Sequence, residues 1–220
     1  MVAQTIFCAH PEKYFKSAVK IGGTKKLNLE KIYSLKPDLI IANKEENEKV
    51  QIETLAKDFP VWISDVNTFE DALDMIKSIG QITRTQLKAS EIINDINQSR
   101  KDFLMRSYPR QKVIYLIWAN PYIAVGKDTF IDTMLNEAGF ENAITESRYP
   151  EISINEIKAI DPDLVFLSSE PFPFKEEHKI EMDKKLSENK SVLVDGEMFS
   201  WYGSRLVRAY AYFGELQLAI

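Results

Sequence analysis

Few side chains in this sequence have the types and spacing to do chemistry. Cys8 and His10 set a thiolate and an imidazole two positions apart, a donor pair suited to iron or cobalt. The plainer alternative is a buried cysteine beside a histidine that belongs to the turn before Pro11. His178 stands in the charged stretch 175–185, where solvation is expected. Cys8 is the single cysteine, which excludes an internal disulfide and leaves too few thiolates for a cysteine-based zinc site or an iron–sulfur cluster. Gly-x-Ser-x-Gly, a glycine-rich phosphate loop, His-Glu-x-x-His and Cys-x-x-Cys are all absent, so no familiar enzyme motif is present. Aromatic and amide side chains instead follow short apolar runs. Asn43 comes after 39–42, Trp118 and Tyr122 after 113–117, and Phe172 and Phe174, each beside a proline, after 164–167.

The elements that position these residues are written twice. Residues 28–40 and 153–165 carry one pattern: Asn28 or Ser153 to cap a short helix, then apolar residues at Leu29, Ile32 and Leu35 or at Ile154, Ile157 and Ile160. Pro37 and Pro162 end the helix, and the residue before a proline is driven out of the helical region, so the chain is expected to leave extended. The runs 39–42 and 164–167 that follow are continuously apolar, which suits parallel strands covered by helices on both faces. Second strands are expected at 61–63 and 191–194. Between the copies, Thr68 with Asp71 and Thr83 with Gln86 resemble capping boxes, and apolar residues recur at helical spacing, so the region reads as a long connector broken near 80–83. A strand at 113–117 and a helix bearing Ile131, Met134, Leu135 and Ala138, stopped at Gly139, complete the later half. The fold class expected is α/β: two lobes with parallel sheets flanked by helices, joined by a long connecting helix. Lobe one covers 1–67, the connecting helical region 68–107 and lobe two 108–220.

Composition narrows the partners. The chain has 220 residues, 45% of them hydrophobic, and a formal charge of -5, which offers no broad positive surface for nucleic acid or anionic membranes. No run approaches the roughly 20 apolar residues of a membrane span. Residues 1–8 lack the basic start and long apolar segment of a secretory signal.

Pro37, Asp38, Leu39 and Ile40 against Pro162, Asp163, Leu164 and Val165, the helical stretch between lobes, and Asn120-Pro121 followed by Gly126-Lys127 together resemble the helical-backbone ABC-transporter substrate-binding proteins. The resemblance extends over essentially the whole chain. It implies a cleft between two lobes for cobalamin, haem or a ferric siderophore, no cofactor of the protein's own, an ABC permease as partner and a periplasmic location. Ligands of parallel sheets sit beyond the carboxyl ends of the strands, which selects Asn43, Trp118, Tyr122 and Phe172, and flat aromatic faces suit a corrin, porphyrin or catecholate. By resemblance, the segment 198–205 is where an aromatic residue and a serine-rich turn precede an arginine. Trp201 and Tyr202 then stack on the ligand, and Arg205 pairs with an anionic group of it. One acidic residue per lobe meets the transporter in this family. Glu46 or Glu48 fits lobe one, whereas the lobe-two position holds Ser200, with Glu197 as the substitute.

Two departures stand beside the resemblance. Family members begin lobe one with a further strand and helix, so lobe one is expected to be short, with an open sheet edge available to a second copy. The start of the chain carries no export address, which keeps a cytosolic cofactor-handling protein or enzyme on the same scaffold as the rival reading. A shortened lobe one that fails to hold ligand at all is the third. Replacing Trp201 by Ala is expected to weaken ligand binding at least about tenfold in a titration, and unchanged affinity removes it from the site.

Overall fold

Two short parallel pairs of strands carry the first unit. The structure, a computed structural model, describes residues 1–188 and 190–220 and divides into Met1–Asp65 and Val66–Ile220. In the first unit β1 (Ala3–Gln4), α1 (Glu12–Ser17) and β2 (Val19–Lys20) form one strand pair with its connection. Then α2 (Leu29–Leu35) leads into β3 (Ile40–Asn43), α3 (Lys49–Leu55) and β4 (Val61–Ser64), with β3 and β4 parallel. Asn28 starts α2 as expected, its Oδ1 accepting from the Lys31 N–H at 3.0 Å. Coverage of the sheet differs from expectation. Ile41 and Ile63 are 49% and 50% exposed, so the continuous apolar run of β3 here marks a strand with one face open.

In the second unit α4 (Phe69–Ile82) and α5 (Gln86–Leu104) form the expected helical region and both belong to this unit. Thr68 and Asp71 make the capping box, with Asp71 N–H on Thr68 Oγ1 at 3.1 Å and Thr68 N–H on Asp71 Oδ2 at 2.9 Å. The second expected box does not form. Thr83 closes α4 instead, donating to the Ile79 carbonyl at 2.7 Å, and the chain turns through Arg84 at φ 57° before Thr85 precedes α5 without a side-chain capping bond. The turn is tight because α4 and α5 meet at Gly80, where a Cβ would lie 2.5 Å from that of Ala89.

The sheet of this unit comprises β5 (Lys112–Trp118), β6 (Ile123–Ala124), β7 (Glu141–Asn142), β8 (Leu164–Ser168) and β9 (Ser191–Val194). Its order is β6-β5-β8-β9 with β7 also on β5, and only the β5–β6 pairing is antiparallel. Four helices alternate with these strands: α6 (Phe130–Glu137), α7 (Ile154–Ile160), α8 (Glu176–Leu186) and α9 (Gly196–Ser200), before α10 (Leu206–Ala219) ends the chain. Successive residues of a strand point to opposite faces. Val113, Tyr115 and Phe166 accordingly enter one core with α4, α5, α6, α9 and α10. Ile114, Leu116, Val165 and Leu167 enter another with Ile157 and Met182. Double coverage, expected for both units, is thus realised here. The α/β class with predominantly parallel strands holds in both units, with helices covering both faces of the sheet in the second, and no helix among the described residues is long and apolar enough to cross a membrane.

The two copies of the repeated unit end alike, but not in the expected way. Lys36 and Asp161, the residues before the prolines, are left-handed at φ 46° and 47° rather than extended. A left-handed residue turns the chain out of the last helical turn, and the proline then fixes the backbone that enters the strand. Among the described residues, one buried side-chain polar atom lacks a hydrogen-bond partner: the hydroxyl of Tyr108, whose ring stacks on Phe103 at 5.4 Å. Tyr108→Phe removes an unmet hydroxyl while keeping the stack. It is expected to raise stability by about 1 kcal/mol, measured as a higher midpoint of urea unfolding.

Candidate functional site

Within the second unit the carboxyl ends of β5, β8 and β9 gather most of the residues singled out from the sequence. Trp118 ends β5 at 41% exposure and meets Phe172 edge-on, ring centroids 5.8 Å apart. Phe172 is held there by its own backbone, which donates to the Ile117 carbonyl at 3.2 Å, so the loop after β8 lies across the end of β5. Phe174 has a core role: it is buried in the second core, and the Phe174 N–H donates to the Ser168 carbonyl at 3.3 Å. His178 is more than a solvated residue of a charged stretch. Its Nδ1 accepts from the Lys175 N–H at 2.9 Å at the start of α8, and its ring stands edge-on to Phe172 and Phe174 at 5.2 and 5.7 Å. Tyr122 is half-buried, with Lys185 Nζ donating to its hydroxyl at 3.1 Å and lying 5.4 Å from the ring centre.

The end of β9 is built around a carboxylate that sequence reasoning did not single out. Tyr115, buried in β5, donates to Ser168 Oγ at 3.1 Å, and Ser168 Oγ donates to the Glu170 carbonyl at 2.7 Å. Glu170 Oε1 then accepts from Ser200 Oγ at 2.6 Å and from Trp201 Nε1 at 2.8 Å. Gly196 lets the Glu170 side chain pass, since a Cβ there would lie 2.5 Å from Ser168 Oγ and 2.6 Å from Glu170 Cγ. Burial is the largest influence on Glu170 and pushes its carboxyl above the ordinary range. The bonds from Ser200 and Trp201 oppose that rise, while Glu197 and Asp195 reinforce it. Arg205 is paired with Glu197, both largely shielded from solvent, and its guanidinium lies 5.3 Å from the Trp201 ring centre. Tyr202 meets Phe130 edge-on at 5.2 Å and packs against the first core. Trp201, Arg205 and Glu197 therefore come together, while Tyr202 faces the core. Surface depressions lined by Lys179, Ile180 and Asp183, and by Ile157, Asp161 and Leu186, lie away from these strand ends.

In the first unit, taken by itself, Asn43 ends β3 with both atoms of its amide engaged. Its Oδ1 accepts from the Glu46 N–H at 2.9 Å, and its Nδ2 donates to Ser64 Oγ at 3.0 Å. Asn47 and Gln51 continue the amide series, bonding to the backbone of Thr24 at 3.0 Å and of Leu27 at 2.7 Å. These two were missed: Asn47 lies in the turn after β3 and Gln51 in α3, so no single periodicity links them to Asn43. Glu46 receives a bond from Thr24 at 3.4 Å, Glu48 precedes α3 without capping it, and Lys44 pairs with Asp65. Cys8 is exposed rather than buried, with its Sγ 3.3 Å from Thr5 Oγ1. Among the described residues no group of three or more His, Cys, Asp or Glu is placed to hold a metal ion, and Cys8 and His10 form part of none.

Parallel strands whose carboxyl ends carry aromatic side chains on a rigid α/β frame define a ligand-binding class of protein. The chain belongs to the periplasmic binding protein family, whose description matches residues 1–193. It is 28% identical over 155 residues to a vitamin B12-binding protein of Vibrio parahaemolyticus, covering 68% of this chain and 56% of that protein. It is 26% identical over 159 residues to the Fe(3+)-citrate-binding protein YfmC of Bacillus subtilis, covering 68% and 49%. The chain thus spans about half the length of the curated relatives it matches. Its fold is similar to that of the periplasmic haem-binding protein BhuT solved with two haems, at a TM-score of 0.81 and 20% identity, covering 100% of this chain and 89% of that one. Gly196→Ala is expected to force Ser168 and Glu170 apart and cost about 2 kcal/mol, read as a lowered urea midpoint together with altered near-ultraviolet circular dichroism of Trp201.

Proposed function

We propose that this chain is the substrate-binding member of an ABC importer and holds an iron complex or a corrinoid at the carboxyl ends of its parallel strands. Trp118 carries the reading. Its four neighbours at positions 113–116 are fully buried, yet its indole is left 41% exposed with Phe172 edge-on beside it. An aromatic face of that size in water is a place for a flat apolar ligand to cover. The relatives named for vitamin B12 and haem supply two ligands with large ring surfaces, and the one named for ferric citrate a polar third, each bringing its own cobalt or iron as cargo. The protein then needs no resident cofactor, and Cys8 and His10 take no part.

In this reading Trp118, Tyr122, Phe172 and Trp201 supply aromatic surface in the second unit, while Tyr202 supports it from the core. Glu46 and Glu48 face the transporter, with Glu197 committed to Arg205. The protein works outside the cytoplasmic membrane with a permease and has no catalytic step. Titrating the full chain with haemin and with cyanocobalamin, followed by quenching of tryptophan fluorescence, tests it. At least one probe is expected to bind, and Trp118→Ala to weaken that binding about tenfold, about 1.4 kcal/mol, without lowering the melting temperature. Failure of both probes and of ferric citrate to bind overturns the reading.

A further inference from the structure

Trp118 and Trp201 reach the same end of the sheet by different physical means. Trp118 has one neighbouring ring and stands open to solvent. Trp201 is fixed at its edge by Glu170 Oε1 at 2.8 Å and on its face by the Arg205 guanidinium at 5.3 Å. The chain of donors behind Glu170 runs through Ser168 to the buried Tyr115, and Gly196 leaves room for the Glu170 side chain and no more. That chain of donors ends on the Glu170 main-chain carbonyl and so fixes the backbone of the residue whose carboxylate takes the bonds of Ser200 and Trp201.

We propose that Glu170 is the positioning residue of the ligand site: its carboxylate clamps Trp201 and the turn after α9 to the loop that carries Phe172, and a single protonation of that carboxylate loosens the clamp. The inference rests on the functional reading above for its ligand, but the clamp itself is a property of the free protein. Ser200 supplies the alternative state. Its hydroxyl has one proton to give and lies 2.6 Å from Glu170 Oε1 and 2.9 Å from the Gly196 carbonyl one turn earlier in its own helix. When Glu170 becomes a neutral acid, the charge-assisted bonds weaken, Ser200 turns to Gly196, and Trp201 keeps a weaker bond to the neutral acid. The charged groups facing Glu170 set the direction. Asp195 at the end of β9 and Glu197 in α9 both favour the proton, and Arg205 at the start of α10 is taken up by Glu197. The nearby phenols Tyr115 and Tyr212 are pushed up by burial and stay neutral.

The sign of the linkage separates this role from a structural one. A carboxyl whose folded value lies above its unfolded value binds its proton more readily in the fold, so ionised Glu170 subtracts stability at neutral pH and the loss is relieved as pH falls through the folded value. Glu170→Gln, which mimics the protonated acid, is therefore expected to melt no lower than the unaltered chain at neutral pH.

The chain has three tryptophans, Trp62, Trp118 and Trp201, so their indole N–H resonances in the full ligand-free protein are readily assigned with the help of Trp201→Phe. On acidification from about pH 8 to about pH 4, the Trp201 indole signal is expected to shift in one step. In Glu170→Gln it should sit at the low-pH position throughout. A flat signal in the unaltered chain, or a step that survives in Glu170→Gln, overturns the clamp. A second measurement, titration with haemin and cyanocobalamin at about pH 7.5, is expected to show binding weakened about tenfold in Glu170→Gln. Equal binding by the two proteins overturns the positioning role. If the unaltered chain binds neither probe, the functional reading falls, while the indole signal still decides the clamp.

Discussion

The second unit depends on one ion pair. Arg100 in α5 holds Glu137 in α6 through two bonds, Nε to Oε2 at 2.5 Å and Nη2 to Oε1 at 2.8 Å. Tyr210 of α10 donates to the same carboxylate at 3.1 Å, and the guanidinium lies 4.7 Å from the ring centre of Phe69 in α4. Four helices thus meet at one planar fork, which fixes direction in a way that apolar packing does not. Such a pair adds little over an apolar replacement, and because the two side chains keep 33% and 16% exposure, removing one partner costs less than the roughly 3–5 kcal/mol of a fully buried pair. Its contribution is placement: it sets α4, α5, α6 and α10 on the face of β5 that buries Val113 and Tyr115.

That placement reaches the candidate site through short links. Tyr115, held in the first core, presents its hydroxyl to Ser168, and Tyr212 of α10 accepts from the Asp195 N–H at 2.8 Å. On the opposite face Asp183 of α8 accepts the Ser191 N–H at 2.8 Å and so fixes the start of β9. Both ends of β9 are therefore tied to helices from different layers. The segment after it, whose Ser200 and Trp201 bond to Glu170 in the loop after β8, inherits that placement, and a side chain held before a ligand arrives loses less entropy when it binds.

The repeated helix and strand were legible in the sequence because their signals are local: a capping Asn28 or Ser153, apolar residues at helical spacing, and a proline stop. The buried runs of β5 and β8 were legible for the same reason. What escaped depends on residues distant in the chain. Thr83 looks like a cap until Gly80 and Ala89 bring α4 and α5 together and move the start of α5. His178 reads as solvated until the loop after β8 lays Phe172 and Phe174 against it. Ile41 reads as buried because an apolar run does not say whether a second layer will cover it. Glu170, flanked by Ser169 and Pro171, carried one usable hint, an acid at the end of a fully buried strand. Its partners Ser200 and Trp201 lie thirty residues on, beyond any local pattern.

The assignment of Arg205 shows how the structure redistributes a role read from residue type. A free guanidinium near an aromatic turn is a natural anchor for an anionic ligand. Here Arg205 already has Glu197, and an incoming carboxylate gains only by exchanging one anion for another after both partners have been desolvated. The aromatic faces have no such competitor. Trp118 is open, Phe172 is half-buried at its side, and covering them removes apolar surface from water without breaking an existing bond. In the proposed function, binding free energy in this unit therefore comes chiefly from ring surface, and the charged groups act by holding that surface still.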